Sequence, residues 1–203
     1  MFSAALKSFG YVALGALMLA LAGCASSDIL LKPAYQPVGT AAGKGGVVVL
    51  AAQLDEGRAD ARVQWILGEV RDSGGKIKGN VVSDTSPLVL VRNALQQELL
   101  RAGYTVQVVD ALPKGVARGV VLNGIVMKLD ELSSLVKSEA DCRISFAVEV
   151  WKDGIRTNTL SFESRSTDFA VKDREKLHYE VMQKALGSAF SRAVPALVDQ
   201  LGK

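Results

Sequence analysis

The spacing of apolar positions changes several times along the chain, and each change marks an element. Residues 47–52 (VVVLAA) are a short apolar run rich in β-branched side chains, which predicts a buried strand. Residues 63–70 and 77–82 are two further β-prone runs around Arg71-Asp72-Ser73-Gly74-Gly75-Lys76, and they predict a hairpin with a Gly-Gly turn. Gly68, inside the first arm, predicts a bulge or a close backbone approach. Asp84-Thr85-Ser86-Pro87 then supplies an N-cap hydroxyl and a proline for a first helical turn. Leu88, Val91, Leu95, Leu99 and Ala102 follow at steps of three and four, one apolar stripe that Gly103 is placed to end. Residues 104–109 return to alternation, with Tyr104, Val106 and Val108 on one face.

The second half reads mainly as antiparallel sheet. Residues 120–129, 142–151 and 155–162 are strand candidates, and Lys152-Asp153-Gly154 predicts a tight turn between the last two. Cys142, Ile144, Phe146, Val148 and Val150 share one face, with Trp151 on the other, exposed or under another element. The last element covers about residues 173–201. Leu177, Val181, Ala185, Ala189, Ala193 and Leu197 continue at i+4 steps, with Met182, Leu186, Phe190, Val194 and Leu201 beside them. Pro195 predicts a kink or break near residues 190–191. These elements add up to one α+β domain over residues 46–203, a mostly antiparallel sheet of five to seven strands with two long helices packed on one face.

The N-terminus follows a different logic. Lys7 precedes an apolar stretch at residues 11–22, which is shorter than the roughly 20 residues a bilayer span needs. It ends in Leu21-Ala22-Gly23-Cys24, which resembles the lipobox of bacterial lipoproteins. That resemblance implies a signal peptide over residues 1–23, cleavage before Cys24, and acylation of the Cys24 thiol and the new N-terminus. An ordinary signal peptide with an incidental cysteine, or an N-terminal membrane anchor, are the other readings of the same stretch. Ala25 and Ser26 follow the cysteine where inner-membrane lipoproteins carry Asp, which implies the outer membrane. Residues 25–45 hold two prolines and three glycines without a sustained period. Residues 24–45 therefore read as a lipidated N-terminus and flexible tether, with Ile29, Leu30 and Leu31 docking on the domain or lying at the membrane interface.

Composition narrows the chemistry. The chain has 203 residues, 49% hydrophobic, with 24 basic against 21 acidic side chains. That is an ordinary globular balance and no electrostatic footprint for nucleic acid. One histidine and two cysteines exclude a His/Cys metal cage, so neither metal nor cofactor is expected. His178, beside Leu177 and Tyr179, reads as structural. With Cys24 acylated, Cys142 is the remaining thiol: a buried small hydrophobe, or a residue that pairs between chains. Asp130, Glu131, Glu139 and Asp141 flank residues 132–137 and read as solvated loop charge, with acid–base work or cation binding as the alternative. Gly74-Gly75 and residues 115–119 read as turns, and Ser73 and Ser86 lack the setting of a nucleophile. No catalytic residue is assigned, and the chain is not expected to be an enzyme.

The lipobox, the first strand, Gly68-Glu69-Val70-Arg71-Asp72, Asp84, Glu98-Leu99 and Gly103-Tyr104-x-Val106 together resemble the YajG-like outer-membrane lipoproteins of Gram-negative bacteria. The order strand, helix, sheet, helix is also similar to accessory lipoproteins of lipid and polymer export of the PqiC, LptE and PelC types. The resemblance implies a non-catalytic lipoprotein held in the outer membrane through acyl chains on Cys24 and facing the periplasm. It would be an assembly, scaffold or accessory component of an envelope machine, with envelope proteins as partners and self-association through the 155–162 strand as a further expectation. A lipid- or glycan-binding carrier, with a cleft lined by Val91, Leu95 and Phe146, is the alternative.

Overall fold

The computed structural model describes residues 28–39, 41–52 and 64–202. Within them the order is β1 (Ile29–Leu31), β2 (Gly46–Ala52), β3 (Trp65–Asp72), β4 (Ile77–Ser83), α1 (Pro87–Arg101), β5 (Tyr104–Val109), β6 (Arg118–Ser133), β7 (Ser138–Lys152), β8 (Ile155–Ala170) and α2 (Arg174–Gly202). The lipobox, and the start of the first hairpin arm at Val63, lie outside the described residues.

The sheet is organised around β6. One edge of β6 runs antiparallel to β7, and β7 runs antiparallel to β8. The other edge is shared: residues 119–122 pair parallel with β2, and residues 131–133 pair parallel with β3. Between the two, the β6–β7 register shifts between Asn123 and Val126, and Gly124 takes a φ of +60°. The sheet thus divides into two leaves, β2–β5 and β3–β4–β1. It is mixed rather than mostly antiparallel, because β1–β4, β2–β5, β2–β6 and β3–β6 are all parallel pairs. Parallel neighbours need a long crossover, and α1 lies in the stretch connecting β2 and β3 to β5 and β6. Hairpin signals are local and visible in a sequence, whereas pairings made across a helix are not.

Local signals account for most element ends. The Ser86 hydroxyl accepts a hydrogen bond from the Val89 N–H at 3.1 Å, with Pro87 opening α1. Asp153 and Gly154 both take positive φ, 47° and 78°, as a two-residue hairpin turn requires. At Gly68 a Cβ would lie 2.1 Å from the Leu129 carbonyl oxygen, so the bulge beside it lets β3 cross close to β6. Pro195 does not end α2, which continues to Gly202. Pro195 and Ser191 are exposed, so water can take the Ser191 carbonyl, while Val194 and Leu197 beside them stay buried.

Both helices bury into one contiguous core. Leu90, Val91, Leu95 and Leu99 of α1 meet Leu50 of β2 and Leu122 of β6 there, and Val181, Leu186, Phe190 and Leu197 of α2 join Cys142, Ile144 and Phe146 of β7.

Residues 28–39 differ from the tether expectation. β1 pairs parallel with β4, Ile29 and Leu31 are buried, and the Tyr35 ring packs on Phe190 with centroids 5.2 Å apart. Of the two alternatives for Ile29, Leu30 and Leu31 the structure shows docking on the domain; the strand itself stayed hidden because three residues are too few to show alternation.

Candidate functional site

Two buried acids organise the described part of the molecule. Glu98 lies on the core side of α1 and is fully buried. It accepts a hydrogen bond from the Tyr35 hydroxyl at 2.6 Å, from the Val38 N–H at 2.6 Å and from the Gly39 N–H at 3.0 Å. A buried carboxylate needs donors on its oxygens, and here the donors come from the N-terminal segment. Glu98 therefore clamps residues 35–39 against α1. Burial and the neighbouring carboxylate push the Tyr35 phenol well above its ordinary value, so it stays a neutral donor. Asp28 extends the attachment by accepting from the Asn80 N–H at 2.8 Å, and the Ala34 carbonyl accepts from the Tyr179 hydroxyl at 3.1 Å.

Glu131 is in phase with Met127 and Leu129 on β6, so it points into the core, where it is 2% exposed. This corrects the reading of Glu131 as loop charge, since β6 runs on to Ser133. Arg174, at the start of α2, places Nε 2.9 Å and its outer nitrogen 2.8 Å from one Glu131 oxygen. His178 is fully buried, with Nε2 3.0 Å from the other oxygen and Nδ1 2.6 Å from the Arg174 carbonyl. Burial alone would raise the Glu131 carboxyl; the contacts from His178, Ser138 and Arg174 outweigh it and hold the carboxyl below its ordinary range.

The other singled-out acids lie on the outer face of the sheet, where Asp130 on β6 stands directly across from Asp141 on β7. Asp130 points the opposite way from Glu131, accepting from the Glu69 N–H at 3.1 Å and pairing with Lys128 at 2.7 Å. Asp141 accepts from Arg165 at 2.6 Å and from the Thr167 hydroxyl at 2.7 Å. Glu139 sits 3.5 Å from Lys137. Of the four acids Glu131 alone turns into the core, each of the other three has its own cationic partner, and among the described residues no three His, Cys, Asp or Glu side chains are grouped to hold a metal. Cys142 is buried and unpaired with another cysteine, and burial with the Asp141 charge pushes its thiol up to about 12. Val91 and Leu95 are fully buried, and Phe146 stacks on Phe190 at 5.3 Å; those three side chains are core. Cys24 lies outside the described residues.

Sequence reasoning named both acids without placing either in the core, although a signal was present. Glu98 follows Val91 by seven and Leu95 by three, so it stands in the apolar stripe of α1. Glu131 continues the inward alternation of β6, and His178 precedes Val181 and Met182 by three and four.

Comparison with other proteins adds the fold. No family model matches the chain, and no curated protein matches it. A crystal structure of a Xanthomonas campestris protein of the DUF330 family superposes with a TM-score of 0.53 at 9% identity, over 86% of this chain and 97% of that one. The chain has that fold. A minor lipoprotein from Acinetobacter baumannii gives a TM-score of 0.42 at 7% identity, over 76% of this chain and 91% of its own. The rare lipoprotein B from Shewanella oneidensis gives 0.31 at 16% identity, over 66% and 91%. Among the described residues no helix is long and apolar enough to cross a membrane.

Proposed function

We propose that the protein is a non-catalytic lipoprotein, acylated at Cys24 and held in the outer membrane facing the periplasm, whose domain is a scaffold or accessory component of an envelope assembly. Its mature chain begins at Cys24 and its globular part is one domain. The observation that carries this reading is the lipobox Leu21-Ala22-Gly23-Cys24 followed, four residues after the cysteine, by Asp28, where the chain is already attached to the fold. The buried side chains best suited to chemistry support it. Glu98, Glu131, His178 and Cys142 are engaged with the protein's own segments or sealed in its core. The YajG-like pattern is the family reading that fits, with other envelope proteins and a second copy through the β8 edge as partners.

The test is palmitate labelling of the wild type and of Cys24→Ser, with membranes separated on a density gradient. The proposal expects label and outer-membrane recovery for the wild type, and loss of both for Cys24→Ser. An unlabelled wild type, or one recovered free of membranes, contradicts it. Cross-linking in the membrane followed by mass spectrometry then identifies the assembly; a chain that yields no reproducible partner contradicts the scaffold role.

A further inference from the structure

Pairing directions bring many element ends to one end of the molecule. β3 ends and β4 begins there at the Asp72–Ile77 hairpin, and because β3 and β6 are parallel, β6 ends beside it. β7 therefore starts there, β8 ends there, and α2 begins there. β1 runs parallel to β4, so Asp28, the first described residue, also faces this end.

Among the described residues, nothing covers several apolar side chains at this end. Leu135 is 106% exposed and Val136 75%, at the tip of the β6–β7 turn. Val171 and Phe169 add 70% and 63% at the end of β8, and Leu132 and Ile77 are about half exposed. An open cleft of about 650 Å³ separates Leu135 from the Ser73-Gly74 turn. Lysines stand among them: Lys78 lies 3.2 Å from Asp72, Lys137 lies 3.5 Å from Glu139 and 5.4 Å from the Phe169 ring centre, and Lys76 and Lys172 are exposed beside Ile77 and Val171. The patch is apolar in character, with polar groups around it, as an interaction surface requires.

Chain length identifies the occupant. Four chain steps lead from Cys24 to Asp28, which at about 3.5 Å each reach at most about 14 Å. Asn80, which holds Asp28, is three residues from Ile77, roughly 10 Å along β4. An acylated Cys24 therefore cannot hold the domain away from lipid, and the end nearest to it is the one carrying Leu135, Val136, Phe169 and Val171. We infer that this end is a bilayer contact surface, with the β6–β7 turn and the β8–α2 junction seated among the phospholipid headgroups. The inference rests on acylation at Cys24. Burying those side chains in the interface adds apolar area to the acyl chains and fixes the orientation of the domain.

The experiment uses the full acylated chain reconstituted in vesicles of phosphatidylethanolamine and phosphatidylglycerol. An environment-sensitive fluorophore is attached to Leu135→Cys in one sample and to Ile155→Cys in another. Ile155 is 69% exposed and lies at the β7–β8 turn, the opposite end of the same strands. Both positions are solvent-facing, so neither change disturbs the core. Intact mass on the same samples reports whether Cys24 carries acyl chains. The inference expects blue-shifted emission, protected from an aqueous quencher, at 135 and water-like emission at 155. An acylated chain with water-like emission at 135 overturns the contact surface alone. Equal protection at both positions overturns the orientation. A mature chain without acyl groups overturns the anchor and this inference with it.

Discussion

Glu98 and Glu131 are both acids inside apolar stripes, yet each holds its segment by different chemistry. Glu98 gathers neutral donors from residues 35–39: a phenol and two backbone N–H groups. Glu131 gathers cationic or basic side chains from the first turn and a half of α2, Arg174 and His178. A carboxylate met by neutral donors gains hydrogen bonds to an irregular segment and holds it in place. A carboxylate facing a guanidinium approaches neutrality, but each member depends on the others, because removing one strands a buried charge. The first arrangement suits attaching a strap; the second suits fixing a helix start against a strand end.

Substitutions separate the two. The largest effect belongs to Glu131→Leu, which leaves the buried His178 without its carboxylate and the partly exposed Arg174 without its partner; we expect a loss of about 4 kcal/mol in urea unfolding. Glu98→Ala removes the acceptor of three hydrogen bonds, and a loss of about 3 kcal/mol is expected. The comparison breaks if Glu98→Ala costs as much as Glu131→Leu. Acid sharpens it further. Because the folded Glu131 carboxyl lies below its ordinary value of 4.5, its contribution is complete above that value. It fades as the pH falls through the lowered folded value. Glu131→Gln should therefore flatten the acid limb of the stability profile; a profile identical to wild type would show the cluster to be energetically idle. Tyr35→Phe is the smallest change, about 1 kcal/mol by thermal unfolding, because one hydroxyl leaves while the ring keeps its packing on Phe190.

The elements built from local chemistry were legible in the sequence. Ser86-Pro87 opens α1, Gly103 follows it with a φ of +96°, Asp153-Gly154 turns β7 into β8, and Gly68 marks a close approach. What stayed hidden was non-local. The parallel pairing of β2 and β3 with opposite halves of β6 leaves no trace in either strand's alternation. The length of β8, which reaches Ala170, is obscured because its side chains are polar on the outer face and only partly buried on the inner one. The acids were misjudged because charge in a sequence suggests solvent, whereas position within the period suggests the core; at Glu98 and Glu131 the period decides. The strap was read as a tether because Pro33, Pro37 and Gly39 signal irregular backbone, and irregular backbone held by a buried carboxylate looks the same in sequence as a free one.

The central claim is that the segment after the lipobox is part of the fold and keeps the domain close to its anchor. Hydrogen exchange on the full-length protein tests it most directly. The amides of Ile29 to Leu31, Val38 and Gly39 should exchange as slowly as those of β4, and Glu98→Ala should speed Val38 and Gly39 while leaving β6 protected. Exchange of residues 29–39 in the wild type at the rate of an unstructured chain would contradict the account.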